Sequence, residues 1–291
     1  MIRKTLARAA LPLASFALLA AGLAACQIDE RPESAYGILQ RAERLRAAVA
    51  APTRNPANVA RDPYRHPLET LRFFGVAPDD DVVEIWPGGG WYTEIIAPYV
   101  LQGGGTYHAA GMNAAQLAGV RRLMEADPAL YGGIRLATFP AFEGAAPGAA
   151  ERVPDGSADI VLTFRNVHNW RMGYQRQNVS YGEEAFRQMF AMLRPGGTLG
   201  VVDHRLPEEA SDERERTSGY IKVSTVRRLA EAAGFRFAGS SEVNANPNDS
   251  ADWPDGVWTL PPTLRNGEAD RARYLAIGES DRMTLRFVKP R

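Results

Sequence analysis

The chain has 291 residues, enough for one large α/β domain or two small ones. Its 45% apolar and 23% charged residues are those of a globular protein, not of a disordered, coiled-coil or collagen-like chain. Basic and acidic residues balance at 34 each, so nothing suggests a nucleic-acid binder; one cysteine excludes an intramolecular disulfide and a Cys-rich zinc site, and four histidines leave little room for an all-His metal cage.

Arg3, Lys4 and Arg8 precede an apolar run over residues 9–25 that is too short and too Ala-rich for a good membrane span, with Pro12 inside it. The run ends in Leu23-Ala24-Ala25-Cys26. This resembles the lipobox of bacterial lipoproteins, which implies cleavage after Ala25 and lipid modification of Cys26. A plain signal peptide with an incidental cysteine is the alternative. Either implies export to the cell envelope. Gln27 after the cysteine favours the outer membrane over the inner, by analogy with enteric lipoproteins. The polar stretch 27–35 reads as a tether.

Residues 36–50 have helical spacing, with Leu39, Ala42, Leu45 and Val49 on one face. Residues 52–67 carry four prolines and read as mostly irregular. Residues 67–74 read as a short helix opened by Pro67 and ended by Gly75. Strands then alternate with helices. Strands are expected over residues 81–86, 106–110, 134–138, 158–164, 198–203, 235–240 and 283–288. Helices are expected over 91–100, opening directly from Gly88-Gly89-Gly90, and over 113–126, 183–193 and 224–233, the last with a serine cap. The fold class is therefore α/β, with a doubly wound, seven-stranded, mostly parallel sheet. The sequence divides into an export signal over 1–25, a tether and lid segment over 26–67, and a main domain over 68–291. Residues 244–280 are an insertion between the last two strands.

This order resembles the class I S-adenosylmethionine-dependent methyltransferases. Val82-Val83-Glu84-Ile85-Trp86-Pro87-Gly88-Gly89-Gly90 stands in the place of that family's acid and glycine loop. Pro154-Asp155-Gly156-Ser157-Ala158-Asp159-Ile160-Val161 resembles its run into the fourth strand. Leu193-Arg194-Pro195-Gly196-Gly197 and Ala232-Ala233-Gly234-Phe235 resemble its later helix–strand punctuation. Within the superfamily the chain looks most like predicted bacterial methyltransferases with the run at residues 84–99 and the segment Arg61-Asp62-Pro63-Tyr64-Arg65-His66-Pro67. The resemblance implies S-adenosylmethionine as cofactor. Its methionine part would lie on Gly88, Gly89 and Gly90, where bare backbone permits close approach, with Glu84 near its ammonium. Trp91, Tyr92, Gly111 and Asn166 complete the expected cofactor site; Tyr64 and Trp170 are further aromatics for stacking or core packing. Trp86 stands where the family has its first glycine. Residues 108–111 lack the usual ribose-binding acid, and 138–141 lack the acid beside the adenine; Glu143 and Asn113 are candidate substitutes. The loop also resembles a dinucleotide fingerprint, but Thr93 replaces its third glycine.

Methyl transfer needs in-line alignment and a place for the acceptor's proton. His168, Asp203 and His204, at the ends of the fourth and fifth strands, are the candidate catalytic residues. The same three could form a small metal site, although no fourth ligand is evident and no metal is expected. The expected partners are a small-molecule acceptor and, through the anchor, a membrane; the oligomeric state is open. The insertion carries Trp253, Trp258 and Tyr274 and is the expected address of acceptor specificity. The alternative function is a non-catalytic binding or scaffold lipoprotein on the same fold; a metal-dependent hydrolase is a third class.

Overall fold

Val82, Val83 and Ile85 are apolar on both faces of one strand, so β1 (Asp81–Ile85) must be covered from both sides. It sits at the centre of a sheet formed with β2 (Thr106–Gly111), β3 (Arg135–Thr138), β4 (Ala158–Phe164), β5 (Leu193–Leu206), β6 (Ile221–Lys222), β7 (Arg236–Ser241) and β8 (Arg282–Val288). This computed structural model describes Met1 and residues 35–142 and 150–291. The export segment, Cys26, nearly all of the tether, and Glu143 lie outside the described residues.

The strand order is β3-β2-β1-β4-β5-β8-β7, with β6 beside the far end of β5. β8 runs antiparallel between β5 and β7; the other pairings are parallel. Chain order reverses between β1 and β4, which opens a crevice at their carboxyl ends. The doubly wound α/β class is as expected. The sheet has an eighth strand because the two-residue β6 extends the edge of β5. A pair of residues carries no periodicity from which it could be read.

Alternation along β1 sends Val82 and Val83 into different cores. Val82 packs with Leu71, Ile95, Ile96 and Val120, under the helices Pro67–Phe74, Thr93–Leu101 and Ala118–Ala126. Val83 packs with Phe186, Met189 and Val226, under Gly182–Met192 and Val223–Ala232. A third cluster joins Leu206 and Tyr220 to Trp253, Val257, Leu260 and Tyr274 of the insertion. Asp249 fastens it, accepting from Trp253 Nε1 at 2.7 Å, Tyr220 Oη at 3.0 Å and the Asp281 amide at 2.8 Å.

Four local expectations are corrected. The proline-rich stretch holds two one-turn helices, Pro56–Val59 and Asp62–Arg65, because proline suits a first helical turn as well as it breaks an interior one. The helix after the glycines starts at Thr93, with Trp91 and Tyr92 still in the turn. The next helix starts at Ala118, not Asn113, whose side chain accepts from the Gln116 amide. Ser224 is no cap: Lys222 is the cap residue, and Ser224 bonds Glu208. The chain divides between Ser34 and Ala35, and helix Ala35–Val49 packs on Pro67–Phe74 and Thr93–Leu101, so residues 35–67 share one unit with all that follows.

Candidate functional site

β1 ends in a sharp turn. Trp86 takes a left-handed φ of 51°, followed by Gly88 at 59° and Gly90 at 87°. A side chain at Gly90 would strike Leu123, 2.7 Å from its Cβ position, whereas Gly88 and Gly89 face open space. Gly90 is therefore a packing glycine and, against expectation, is not among the residues that line the cavity. Gly88 and Gly89 form one wall of a cavity of about 340 Å³ at the carboxyl ends of β1, β4 and β5. That volume suits a small organic molecule.

Most of the expected site residues gather here. Glu84 is at the floor, its Oε2 accepting from Thr93 Oγ1 at 2.8 Å and from the Tyr107 hydroxyl; burial pushes its carboxyl up to about 7. Asn166 lines the cavity and clamps β4 to β1 through Nδ2, 2.8 Å from the Ile85 carbonyl. Trp91 donates from Nε1 to the Asn58 carbonyl at 2.9 Å, and Tyr92 stacks on Phe164 with centroids 3.6 Å apart. These two aromatics hold the 52–67 segment against the cavity, so that Asn58, Arg61 and Arg65 form part of its wall. Tyr92 is too buried to ionise readily, its phenol pushed up to about 12.

His168 and His204 line the cavity side by side, ring centroids 5.1 Å apart. Asp203 lies behind them, fully buried. Its Oδ1 is 2.7 Å from His168 Nδ1, and its two oxygens also accept from the His168 amide at 3.1 Å and the His204 amide at 2.8 Å. The carboxylate fixes the His168 tautomer, with hydrogen on Nδ1 and an accepting lone pair on Nε2. His204 Nδ1 pairs with Ser280 Oγ at 2.5 Å. Burial, then the neighbouring His168 and Arg165, hold the His204 ring well below its ordinary range, so it is neutral at pH 7. Donor atoms of the three residues lie within 4.8 Å of one another. Nδ1 of each ring is engaged, by Asp203 or by Ser280, and the positive charges of Arg165, Arg282 and Arg65 act on His204.

The sequence reading did not find the charge system opposite. Glu279 lies between Arg61 Nε at 2.6 Å, Arg65 Nε at 3.1 Å and Arg282 Nη2 at 3.1 Å. Burial alone would raise the Glu279 carboxyl, but Arg282, Arg65 and Arg61 pull it down to about 2. Arg61 and Arg65 were legible as parts of a lid segment or of a proline-stiffened connector, not as a charge cluster with Glu279. Val257, Trp258, Pro261 and Pro262 of the insertion also line the cavity.

Gly111 does not reach the cavity. Leu117 covers it, 2.9 Å from its Cβ position, and Gln116 Oε1 accepts from the Met112 amide at 2.6 Å. Trp86, only 8% exposed, donates from Nε1 to the Phe139 carbonyl at 2.9 Å and packs edge-on against Trp170. The open glycines beside Glu84 fit an aminoacyl group. At the carboxyl ends of β2 and β3, where the resemblance would put an adenosine, Leu117 stands against Gly111 and the Trp86 indole against the Phe139 carbonyl.

Solved structures of similar architecture include an S-adenosylmethionine-dependent methyltransferase from Aquifex aeolicus, at 13% identity, covering 85% of this chain and 97% of that one with a TM-score of 0.51. The [4+2]-cyclase SpnF is 14% identical, covering 87% and 94% with a TM-score of 0.53. A geranyl diphosphate methyltransferase in complex with GPP and sinefungin is 14% identical, covering 77% and 78% with a TM-score of 0.50. These likenesses show the fold. No protein-family model and no curated protein matches the chain.

Proposed function

We propose that this chain is an S-adenosylmethionine-dependent methyltransferase acting on a small-molecule acceptor, held in the cell envelope by a lipid on Cys26, with the outer membrane the favoured destination. The observation that carries the enzymatic reading is His168, buttressed by Asp203 and set across one cavity from the open turn at Gly88 and Gly89. When bound, the donor supplies an electrophilic methyl group on a sulfonium. Gly88 and Gly89 would receive its aminoacyl end, with Glu84 below. His168 Nε2 takes the acceptor's proton, and the buried Asp203 carboxylate stabilises the imidazolium so formed. His204, neutral and tied to Ser280, shapes the wall beside it. The roof formed by Val257 and Trp258 shields the reacting groups from water.

Calorimetry of the purified full chain with S-adenosylmethionine tests this reading. Micromolar binding that is lost in Gly88→Trp supports it; a folded protein that does not bind overturns it. Fractionation tests the anchor: the intact chain should partition with membranes and Cys26→Ser should not.

A second reading, a non-catalytic binding lipoprotein, is favoured by the Trp86 indole and by Leu117 over Gly111, which stand on the adenosine side. The fold itself is compatible with more than one activity, since one of the similar structures is a cyclase.

A further inference from the structure

The cavity carries more positive charge than its own acids offset. Arg61, Arg65 and Arg282 all draw on Glu279. Arg165 lines the same cavity and makes no ion pair or side-chain hydrogen bond among the described residues. Of the other two carboxyls, Asp203 is engaged by His168, and Glu84 is bound by Thr93 and Tyr107.

Arg65 is buried, with its guanidinium over the Trp91 ring, and Arg61 and Arg165 are half-buried; all three are short of hydrogen-bond partners. Arg65 is 1% exposed, and both its Nη atoms, like Nη2 of Arg61, are buried without a hydrogen-bond partner. Arg165 also holds a left-handed backbone, φ 64°, which side chains other than glycine adopt at a cost. Burial, then Arg165, pushes the Arg65 guanidinium down to about 8; burial, then Arg282, pushes Arg165 to about 10. Stability alone does not account for such an arrangement, because unpaired buried charge opposes folding. It does account for an anion site. A guanidinium offers a planar fork that grips carboxylate or phosphate oxygens in pairs.

We propose that the ligand of this cavity is a small organic polyanion, bearing at least two negative charges as phosphate or carboxylate groups, gripped by Arg61, Arg65 and Arg165. The count follows from the three guanidinium groups that line the cavity, Arg61, Arg65 and Arg165, against the single carboxylate of Glu279, which Arg282 shares from behind. Val257 and Trp258 give its carbon skeleton an apolar cover. In the methyltransferase reading, on which this assignment of an acceptor rests, the grip leaves the rest of the molecule to face His168. An anionic acceptor also offsets the positive charge of a sulfonium brought into an arginine-rich cavity.

The test is calorimetry and thermal unfolding of the purified full chain, without donor, with inorganic phosphate and with succinate as probes, against sodium chloride at matched ionic strength. Stabilisation by either probe beyond the chloride control is expected. Response to phosphate alone assigns a phosphate ester, to succinate alone a dicarboxylate, and to both the shared oxyanion chemistry. Arg165→Gln and Arg61→Gln should each weaken binding at least tenfold, and ligand-free Arg165→Gln should melt higher than the parent, since like-charge repulsion is relieved. The proposal is overturned if neither probe exceeds chloride, or if both variants bind as tightly as the parent. Because the titration contains no donor, anion binding without S-adenosylmethionine binding would overturn the enzymatic reading alone. The converse would overturn only the anion assignment.

Discussion

Replacing Trp86 by glycine removes an indole that lines the cavity and suits the backbone it leaves behind. The cost comes first. A nearly buried tryptophan truncated in a core loses about 3–5 kcal/mol, and that figure includes a cavity whose lining cannot fully collapse. The Phe139 carbonyl also loses its donor. Against this, a φ of 51° is unfavourable for any residue with a Cβ by about 1–2 kcal/mol, and glycine is free of that penalty. Glycine's greater freedom in the unfolded chain takes part of the relief back. Trp86→Ala should therefore lose about 4 kcal/mol and Trp86→Gly about 3, measured by urea unfolding with common slopes. Calorimetry on the same two proteins reads the second consequence. If the indole occupies the nucleoside's space, Trp86→Gly should bind S-adenosylmethionine at least tenfold more tightly than the parent. An alanine variant as stable as the glycine one would refute the backbone argument. A glycine variant with unchanged or weaker donor affinity would refute the claim that the indole is the obstruction.

Asp203→Asn should leave ligand affinity within a few-fold while transfer falls by about 10²–10⁴, because the amide no longer holds hydrogen on His168 Nδ1; single-turnover assays separate the two effects. Glu84 ionises near 4.5 in the unfolded chain but near 7 when folded, so its favourable contribution is complete below about pH 4.5 and is lost as pH rises through 7. Glu84→Gln should abolish that loss, gaining about 3 kcal/mol on the parent between pH 4 and pH 8 in chemical unfolding. A parallel pH dependence in both proteins would contradict it. Glu279→Gln leaves three guanidinium groups uncompensated and should destabilise by about 3–5 kcal/mol at pH 7, with the difference narrowing as pH falls from about 4.5 toward 2, where the parent's own carboxylate is protonated. Thermal unfolding across that range reads it out.

Six of the seven expected strands were legible to within a residue, whereas β5 begins at Leu193 and ends at Leu206, five residues earlier and three later than expected, because the Arg194-Pro195-Gly196-Gly197 stretch that reads as a helix stop is already extended. Helix starts were less so: Trp91 and Tyr92 carry the apolar character of the helix that follows but spend it on the segment packed across them. His168, Asp203 and His204 could be found because two neighbouring parallel strands deliver their ends to one place. The arginine system could not. Arg65 and Glu279 are 214 positions apart, and no local pattern announces that an early helix turn will meet a residue three positions before β8. Gly111 was misplaced for a related reason: a glycine that admits a ligand and a glycine that admits Leu117 look the same in sequence.

The clasp between Arg65 and Glu279 sets an order on assembly. During synthesis Arg61 and Arg65 emerge more than two hundred positions ahead of the counter-ion they share, which comes just before the strand that inserts between β5 and β7. Until that strand docks, the edge of β5 is open and the guanidinium groups are hydrated and apart. The binding chamber is thus closed by the same late event that completes the sheet, and a chain ending before Glu279 would lack both the chamber's counter-ion and the Met283, Leu285 and Phe287 side chains of the core.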